Sequence, residues 1–248
     1  MYISNVVIKN FRNFKDFSIK LHPFVTVIGE NNIGKSNLLE AIYLVLSHDI
    51  SAYRKRKLDI EDINFEAVVE FKDDVLNKKL DEIEFPKVQI DLYFQEPNLN
   101  QETIIDDCWV DVRQKIAKVS YVYSFKSNKK SEVLKQLKEI VAVCKEKGME
   151  SEEIRNFIDF PIDYYEYKIV CGSEDKVADP YWLKMMKMEY LDALPDAKRE
   201  LNSNSDNKLL YRILADRDHD EFSRIKEQMI ELDRIVKEDG NVLESLKD

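Results

Sequence analysis

The feature that most constrains this chain is Gly29-Glu30-Asn31-Asn32-Ile33-Gly34-Lys35-Ser36, which fits the phosphate-loop pattern G-x-x-x-x-G-K-[ST] at every fixed position. Such a loop needs glycine-tolerated dihedrals so that successive backbone N–H groups can curl around an anion. It also needs a strand before it and a helix after it. Phe24-Val25-Thr26-Val27-Ile28 is apolar at four of five positions and rich in β-branched residues, which predicts a strand buried on both faces. From Ser36 the spacing of Leu38, Leu39, Ile42, Tyr43 and Leu46 predicts an amphipathic helix. The pattern points to nucleotide binding, with Lys35 addressing the β and γ phosphates and the Ser36 hydroxyl holding Mg²⁺. The positive end of the helix dipole faces the same place.

Around this unit the pattern is mixed. Residues 2–10 and Phe17 to Leu21 alternate apolar and polar on either side of Phe11-Arg12-Asn13-Phe14, which predicts a β-hairpin. Strand patterns recur at Val88 to Phe94, Cys108 to Val112, Val119 to Phe125 and Tyr164 to Cys171. Between Arg54-Lys55-Arg56-Lys57 and about Phe85 the chain reads as a basic surface loop followed by a polar stretch. Ser127 to Lys130 reads as a turn, and helices are expected at Val133 to Lys147, stopped by Gly148, and at Glu152 to Phe160. Asn202 to Asn207 reads as a loop and Asp220 to Lys247 as a charged helix. There is no internal repeat.

The resulting expectation is an α/β phosphate-loop fold. Its mixed sheet has Phe24 to Ile28 as central strand, an antiparallel β element beside it, and a mostly helical C-terminal portion. Residues 1–130 form the first domain and residues 131–248 a helical insertion or arm.

Composition removes several function classes. The longest apolar run, Ala41 to Leu46, is far short of the roughly 20 residues a bilayer needs, and Met1 to Asn5 does not start a secretory signal. No membrane association is expected, and a cytoplasmic location is the default. Cys108, Cys144 and Cys171 are widely spaced and read as reduced thiols, while His22, His48 and His219 give no zinc spacing. A net charge of −10 argues against a nonspecific nucleic-acid coat, although residues 1–60 carry nine Lys/Arg against five Asp/Glu and leave room for a local basic face.

Ile8-Lys9-Asn10-Phe11-Arg12-Asn13-Phe14 together with Val27 to Ile42 resembles the start of the ABC-type chromosome-associated ATPases: RecF, SMC proteins and the OLD-family nucleases. Lys35-Ser36-Asn37, and more weakly Tyr190-Leu191-Asp192-Ala193-Leu194-Pro195-Asp196, resemble the OLD or Gabija-type branch, with Pro195 where that branch has Arg. The strong resemblance covers roughly the first 50 residues. It implies an ATP-binding head that dimerises with nucleotide between subunits, with ATP and Mg²⁺ as cofactors and DNA as a partner. On the same ground Arg12 lies near the phosphates, although a solvated hairpin charge is the alternative. The candidate nucleotide-binding set is therefore Arg12, Asn13, Gly29, Glu30, Asn31, Asn32, Ile33, Gly34, Lys35, Ser36 and Asn37, with Ser36 as the metal ligand.

An ATPase of this clan also uses a Ser-Gly signature and a strand ending in Asp-Glu. No four-residue apolar run here ends in Asp-Glu, and Val170 to Asp175 is only a poor imitation. The chain therefore reads as the N-terminal lobe of a head, with a partner chain or a continuation supplying the rest. Asp216-Arg217-Asp218 matches the Asp-x-Asp of the OLD nuclease domain literally but reads better as a helix end and new N-cap, so no nuclease activity is expected of this chain alone. Arg54 to Lys57 reads as a solvated loop before a DNA contact, and Tyr121, Tyr123 and Phe125 as packing before base stacking. Tyr181-Trp182 and Met185, Met186 and Met188 fit either core filling or a partner-facing helix.

Two functions remain in view: an ATPase module of an OLD-like, DNA-directed system, and a nucleotide-gated interaction module that does not hydrolyse alone. A small-molecule kinase is weaker, since no acceptor pocket or lid arginines are identifiable.

Overall fold

The structure is a computed structural model and describes residues 1–30, 33–46, 57–183, 185–186 and 188. Its framework is one antiparallel sheet. β1 (Tyr2–Phe11) and β2 (Phe14–Lys20) form the expected hairpin, with Phe11 opposite Phe14 across the turn. β1 then pairs with β3 (Val88–Gln95), β3 with β5 (Ile116–Phe125), β5 with β6 (Tyr165–Cys171), and β6 with the short β7 (Lys176–Val177). β4 (Trp109–Asp111) pairs with the start of β5. The strand order is β2-β1-β3-β5-β6-β7.

Period-two alternation makes one face of this sheet apolar. Val6 and Ile8, then Val88, Ile90, Leu92 and Phe94, then Ala117, Val119, Tyr121 and Tyr123 are all buried in one cluster. Helices cover that face. α1 (Lys35–Leu46) buries Leu38, Ala41, Ile42 and Val45 at i, i+3, i+4 and i+7 and packs on β1, β3 and β5. α2 (Phe65–Asn77) packs on α4 (Lys130–Glu146) and α5 (Ser151–Phe157). α3 (Leu99–Ile104) and α6 (Pro180–Leu183) are short. Tyr121 and Tyr123 are fully buried, and Phe125 stacks on Phe85 with ring centroids 3.8 Å apart, so this aromatic stripe is packing.

The α/β class and the antiparallel element stand as expected, but the central strand does not. Phe24 to Ile28 is in neither strand nor helix, and Phe24 and Ile28 are 86% and 88% exposed. An apolar run records what a segment is able to bury. A doubly buried strand also needs ladder partners on both edges, and among the described residues no strand pairs with it. The described sheet is accordingly antiparallel throughout rather than mixed.

The stretch expected to be polar up to Phe85 contains α2. Asn64 accepts a hydrogen bond from the Ala67 N–H at 3.4 Å and caps it, while Ala67, Val68, Phe71 and Val75 face the core between charged residues that mask the period. Gly148 ends α4 at φ +74, as a C-terminal glycine does. Residues Met1–Glu189 form one compact unit and Tyr190–Asp248 a second. The expected division after residue 130 falls inside the first unit, because β6 beyond it pairs with β5. The second unit lies outside the described residues, and with it Tyr190 to Asp196, Asn202 to Asn207, Asp216 to Asp218 and Asp220 to Lys247.

Candidate nucleotide site

The phosphate-loop residues lead directly into α1. The first intrahelical bond runs from the Leu38 N–H to the Gly34 carbonyl at 2.9 Å, so the N–H groups of Lys35, Ser36 and Asn37 precede the helical ladder. Gly34 has φ +103, a conformation that L side chains rarely adopt, and a Cβ there would collide with the Asn13 side chain. A Cβ on Gly29 would likewise meet the end of the Ile33 side chain. Lys35 folds back over the loop, donating to the Gly29 carbonyl at 2.7 Å and to the Glu30 carbonyl. Ser36 is exposed at the first turn of α1. Asn31 and Asn32 lie outside the described residues.

The hairpin turn closes on this loop. Asn13 Nδ2 donates to the Ile33 carbonyl at 3.3 Å, and Asn37 Nδ2 donates to Asn13 Oδ1 at 2.7 Å. Arg12 sits at φ +47 and is held from three sides. Its Nε donates to Asp62 Oδ1 at 2.8 Å, its Nη1 donates to Asn37 Oδ1 at 3.0 Å, and Nη1 also pairs with Glu40. The guanidinium lies 5.2 Å from the Phe11 ring centroid. Partial burial lowers the Arg12 pKa, but the hydrogen bond to Asp62 and the charge of Glu40 outweigh it, and the net shift is upward. Arg12 stays charged.

Backbone contacts fix the same corner. The Arg12 N–H donates to the Asp62 carbonyl at 2.8 Å, the Asn64 N–H donates to the Asn10 carbonyl at 2.9 Å, and Asn64 Nδ2 donates to the Arg12 carbonyl at 2.7 Å. Phe11 bridges to Ile63. Sequence reasoning placed Arg12, Asn13, Ile33, Gly34, Lys35, Ser36 and Asn37 together, and they are together. It missed Glu40, Asp62 and Asn64. Glu40 lies four residues after Ser36, on the turn of helix beyond it, so helical spacing signals it. Asp62 and Asn64 are some 50 residues from Arg12 and carry no such signal.

Other candidates resolve differently. Arg54 to Arg56 lie outside the described residues, and Lys57 is exposed and 4.0 Å from Asp163. Val170 to Asp175 forms the end of β6 and the turn to β7, where Asp175 pairs with Lys118 at 2.7 Å. All three cysteines are free and buried, and burial pushes the Cys108 thiol pKa up. Among the described residues no group of three or more His, Cys, Asp and Glu is placed to hold a metal, and no helix is long and apolar enough to cross a membrane. Met186 is buried and Met185 half-exposed.

An α/β sheet carrying a Gly-Lys-Ser turn at the N-terminus of a core helix defines the class: an ATPase-type domain. The chain belongs to the AAA ATPase domain family, whose model matches residues 1–246. Its opening segment is similar to the DNA replication and repair protein RecF of Acetivibrio thermocellus, 46% identical over 48 residues, covering 19% of this chain and 13% of that protein. RecF of Clostridium novyi is 52% identical over 44 residues, 17% of this chain and 12% of that protein. Endonuclease GajA of Bacillus cereus is 41% identical over 59 residues, 24% of this chain and 10% of that protein. These alignments thus span about an eighth or less of each relative's length. A solved structure from work on "Structural biochemistry of ATP-driven dimerization and DNA stimulated activation of SMC ATPases" aligns over 86% of this chain and 96% of its own, at 16% identity and a TM-score of 0.41.

Proposed function

We propose that this chain is the ATP- and Mg²⁺-binding ATPase module of a DNA-directed system of the OLD and RecF kind, with any nuclease part outside it. The observation that supports the reading is the Gly34-Lys35-Ser36 turn at the unladdered N-terminus of α1, in a chain of the AAA ATPase domain family. The residues fit the cofactor. Lys35 already donates to two loop carbonyls, Gly29 and Glu30, and phosphate oxygens are stronger acceptors for its ammonium than carbonyls. The N–H groups of Lys35, Ser36 and Asn37 supply further donors, and the exposed Ser36 hydroxyl is the Mg²⁺ ligand. Bound Mg²⁺ neutralises charge on the β and γ oxygens. Asn13, by holding both Ile33 and Asn37, ties the second half of the loop to the first turn of α1.

The role in repair or in defence against foreign DNA, the head-to-head homodimer and DNA as a partner belong to the same proposal and rest on the RecF and GajA likeness of the first 60 residues. A second reading has its own support. Among the described residues Phe24 to Ile28 has no ladder partner, and no strand ending in Asp-Glu is found. A chain so built binds nucleotide, switches assembly, and leaves hydrolysis to groups from elsewhere.

Lys35→Ala tests the proposal. Calorimetric titration with Mg-ATP is expected to lose binding by a factor of about 100 or more while the melting temperature stays unchanged, as for removal of a charge-assisted contact to phosphate. Unchanged affinity in the variant would sink the assignment. Turnover by the purified chain separates the two readings, since negligible hydrolysis with intact binding favours the switch.

A further inference from the structure

Arg12 donates from two of its three nitrogens to this chain's own acceptors. A guanidinium has five N–H groups, one on Nε and two on each Nη. Here Nε serves Asp62 Oδ1, and Nη1 serves Asn37 Oδ1 and Glu40. Nη2 has no hydrogen-bond partner among the described residues, and the side chain remains 31% exposed. The two carboxylates come from different places: Glu40 from α1, and Asp62 from the turn before α2. Asp62 is itself fixed, because its carbonyl accepts from the Arg12 N–H and its neighbour Asn64 bonds to Asn10 and to the Arg12 carbonyl.

We infer that Asp62 and Glu40 are positioning residues that act through Arg12: they hold its Nε and Nη1 edges against α1 and leave Nη2 to reach the terminal phosphate of a nucleoside triphosphate. The inference rests on the nucleotide-binding reading above. Lys35 and Ser36 address the β and γ phosphates, and Arg12 is bonded to Asn37 and Glu40, immediately beyond them on the same helix. Nη2 is the nitrogen left for a ligand, and comparing a triphosphate with a diphosphate tests whether it meets the γ end. Left untied, a side chain with Arg's rotamer freedom would pay ordering entropy on each binding event. The backbone bonds of Asp62 and Asn64 to the hairpin turn do not use the Asp62 carboxylate, so its removal frees Nε of Arg12 and leaves that tether in place.

The test is calorimetric titration of the full chain with Mg-ATP and, separately, with Mg-ADP. Asp62→Ala is expected to weaken ATP by about five- to twenty-fold, the scale of one charge-assisted hydrogen bond, and ADP by less than about two-fold. Asp62→Asn still offers an acceptor to Nε and should recover most of the ATP affinity. Arg12→Ala should show the same ATP-selective loss, with Asp62→Ala adding almost nothing to it. Should Asp62→Ala fail to fold, as judged by its melting curve, Glu40→Ala, which removes the other carboxylate from Nη1, takes its place with the same expected selectivity. Equal losses for ATP and ADP, additive losses in the double variant, or no loss would each overturn the inference. If Lys35→Ala abolishes binding while the Asp62 variants are indifferent, only this inference falls. If the chain binds neither nucleotide, the underlying reading falls and takes this one with it.

Discussion

Single residues at the loop carry opposite kinds of constraint. Gly34 is required for what it lacks: φ +103 is costly for any L side chain, by about 1–3 kcal/mol, and the space beyond its Cα belongs to Asn13. Gly34→Ala is therefore expected to impair nucleotide affinity by at least about ten-fold, since the loop must shift either its dihedrals or Asn13. Adding Asn13→Ala removes the collision and leaves the dihedral strain, so titration of the double variant should recover only part of the loss. Arg12 is required for what it has. It tolerates φ +47 because three acceptors on two elements hold it there, a cost that local sequence rules would advise against. The motif made Gly34 legible in advance. The partners of Arg12 became legible only once the fold brought residue 62 to residue 12.

Among the elements, the antiparallel framework was readable because period-two alternation survives along most of Val88–Gln95 and Ile116–Phe125 and through Val6 and Ile8 of Tyr2–Phe11. Helix α2 was not, because Phe65-Glu66-Ala67-Val68-Val69-Glu70-Phe71 interleaves charge with its core positions, and Phe65 itself is 77% exposed. Phe24 to Ile28 failed in the opposite direction. Its composition is that of a buried strand, yet no strand pairs with it among the described residues. Substituting exposed apolar side chains there should cost little, so Phe24→Ser with Ile28→Ser is expected to change folding stability by less than about 0.5 kcal/mol per site. Light scattering of the same variant should report less self-association, because two large apolar groups leave the surface. A drop of several kcal/mol in a denaturant titration would instead mean that the segment is packed in solution.

For the whole molecule, the sheet and the corner beside the loop share a pH limit. Tyr123 is buried in the core and donates its hydroxyl to the Leu58 carbonyl at 3.1 Å. Burial, with smaller contributions from the charges of Asp59, Asp163 and Asp62, raises its pKa from 10.0 to about 12. A raised folded-state value means that its contribution is whole below pH 10 and is lost as pH climbs toward 12, because the unfolded chain releases the proton more readily. Stability is expected to fall across that window. In Tyr123→Phe the fall should be shallower, though not absent, since burial raises Tyr165 as well. At neutral pH the same variant should be less stable by about 1 kcal/mol for the missing hydrogen bond. Chemical denaturation at pH 8 and pH 11 checks both signs.

Lys35, folded over its own loop, sets the starting point from which a phosphate would be bound. Its ammonium has already surrendered part of its hydration to the Gly29 and Glu30 carbonyls. An arriving phosphate does not strip a fully solvated cation. It displaces two weak internal acceptors, which are then returned to water. Under the proposed function, association is a ligand-exchange reaction carried out by one side chain, and the lysine leaves its two carbonyls only for a better acceptor.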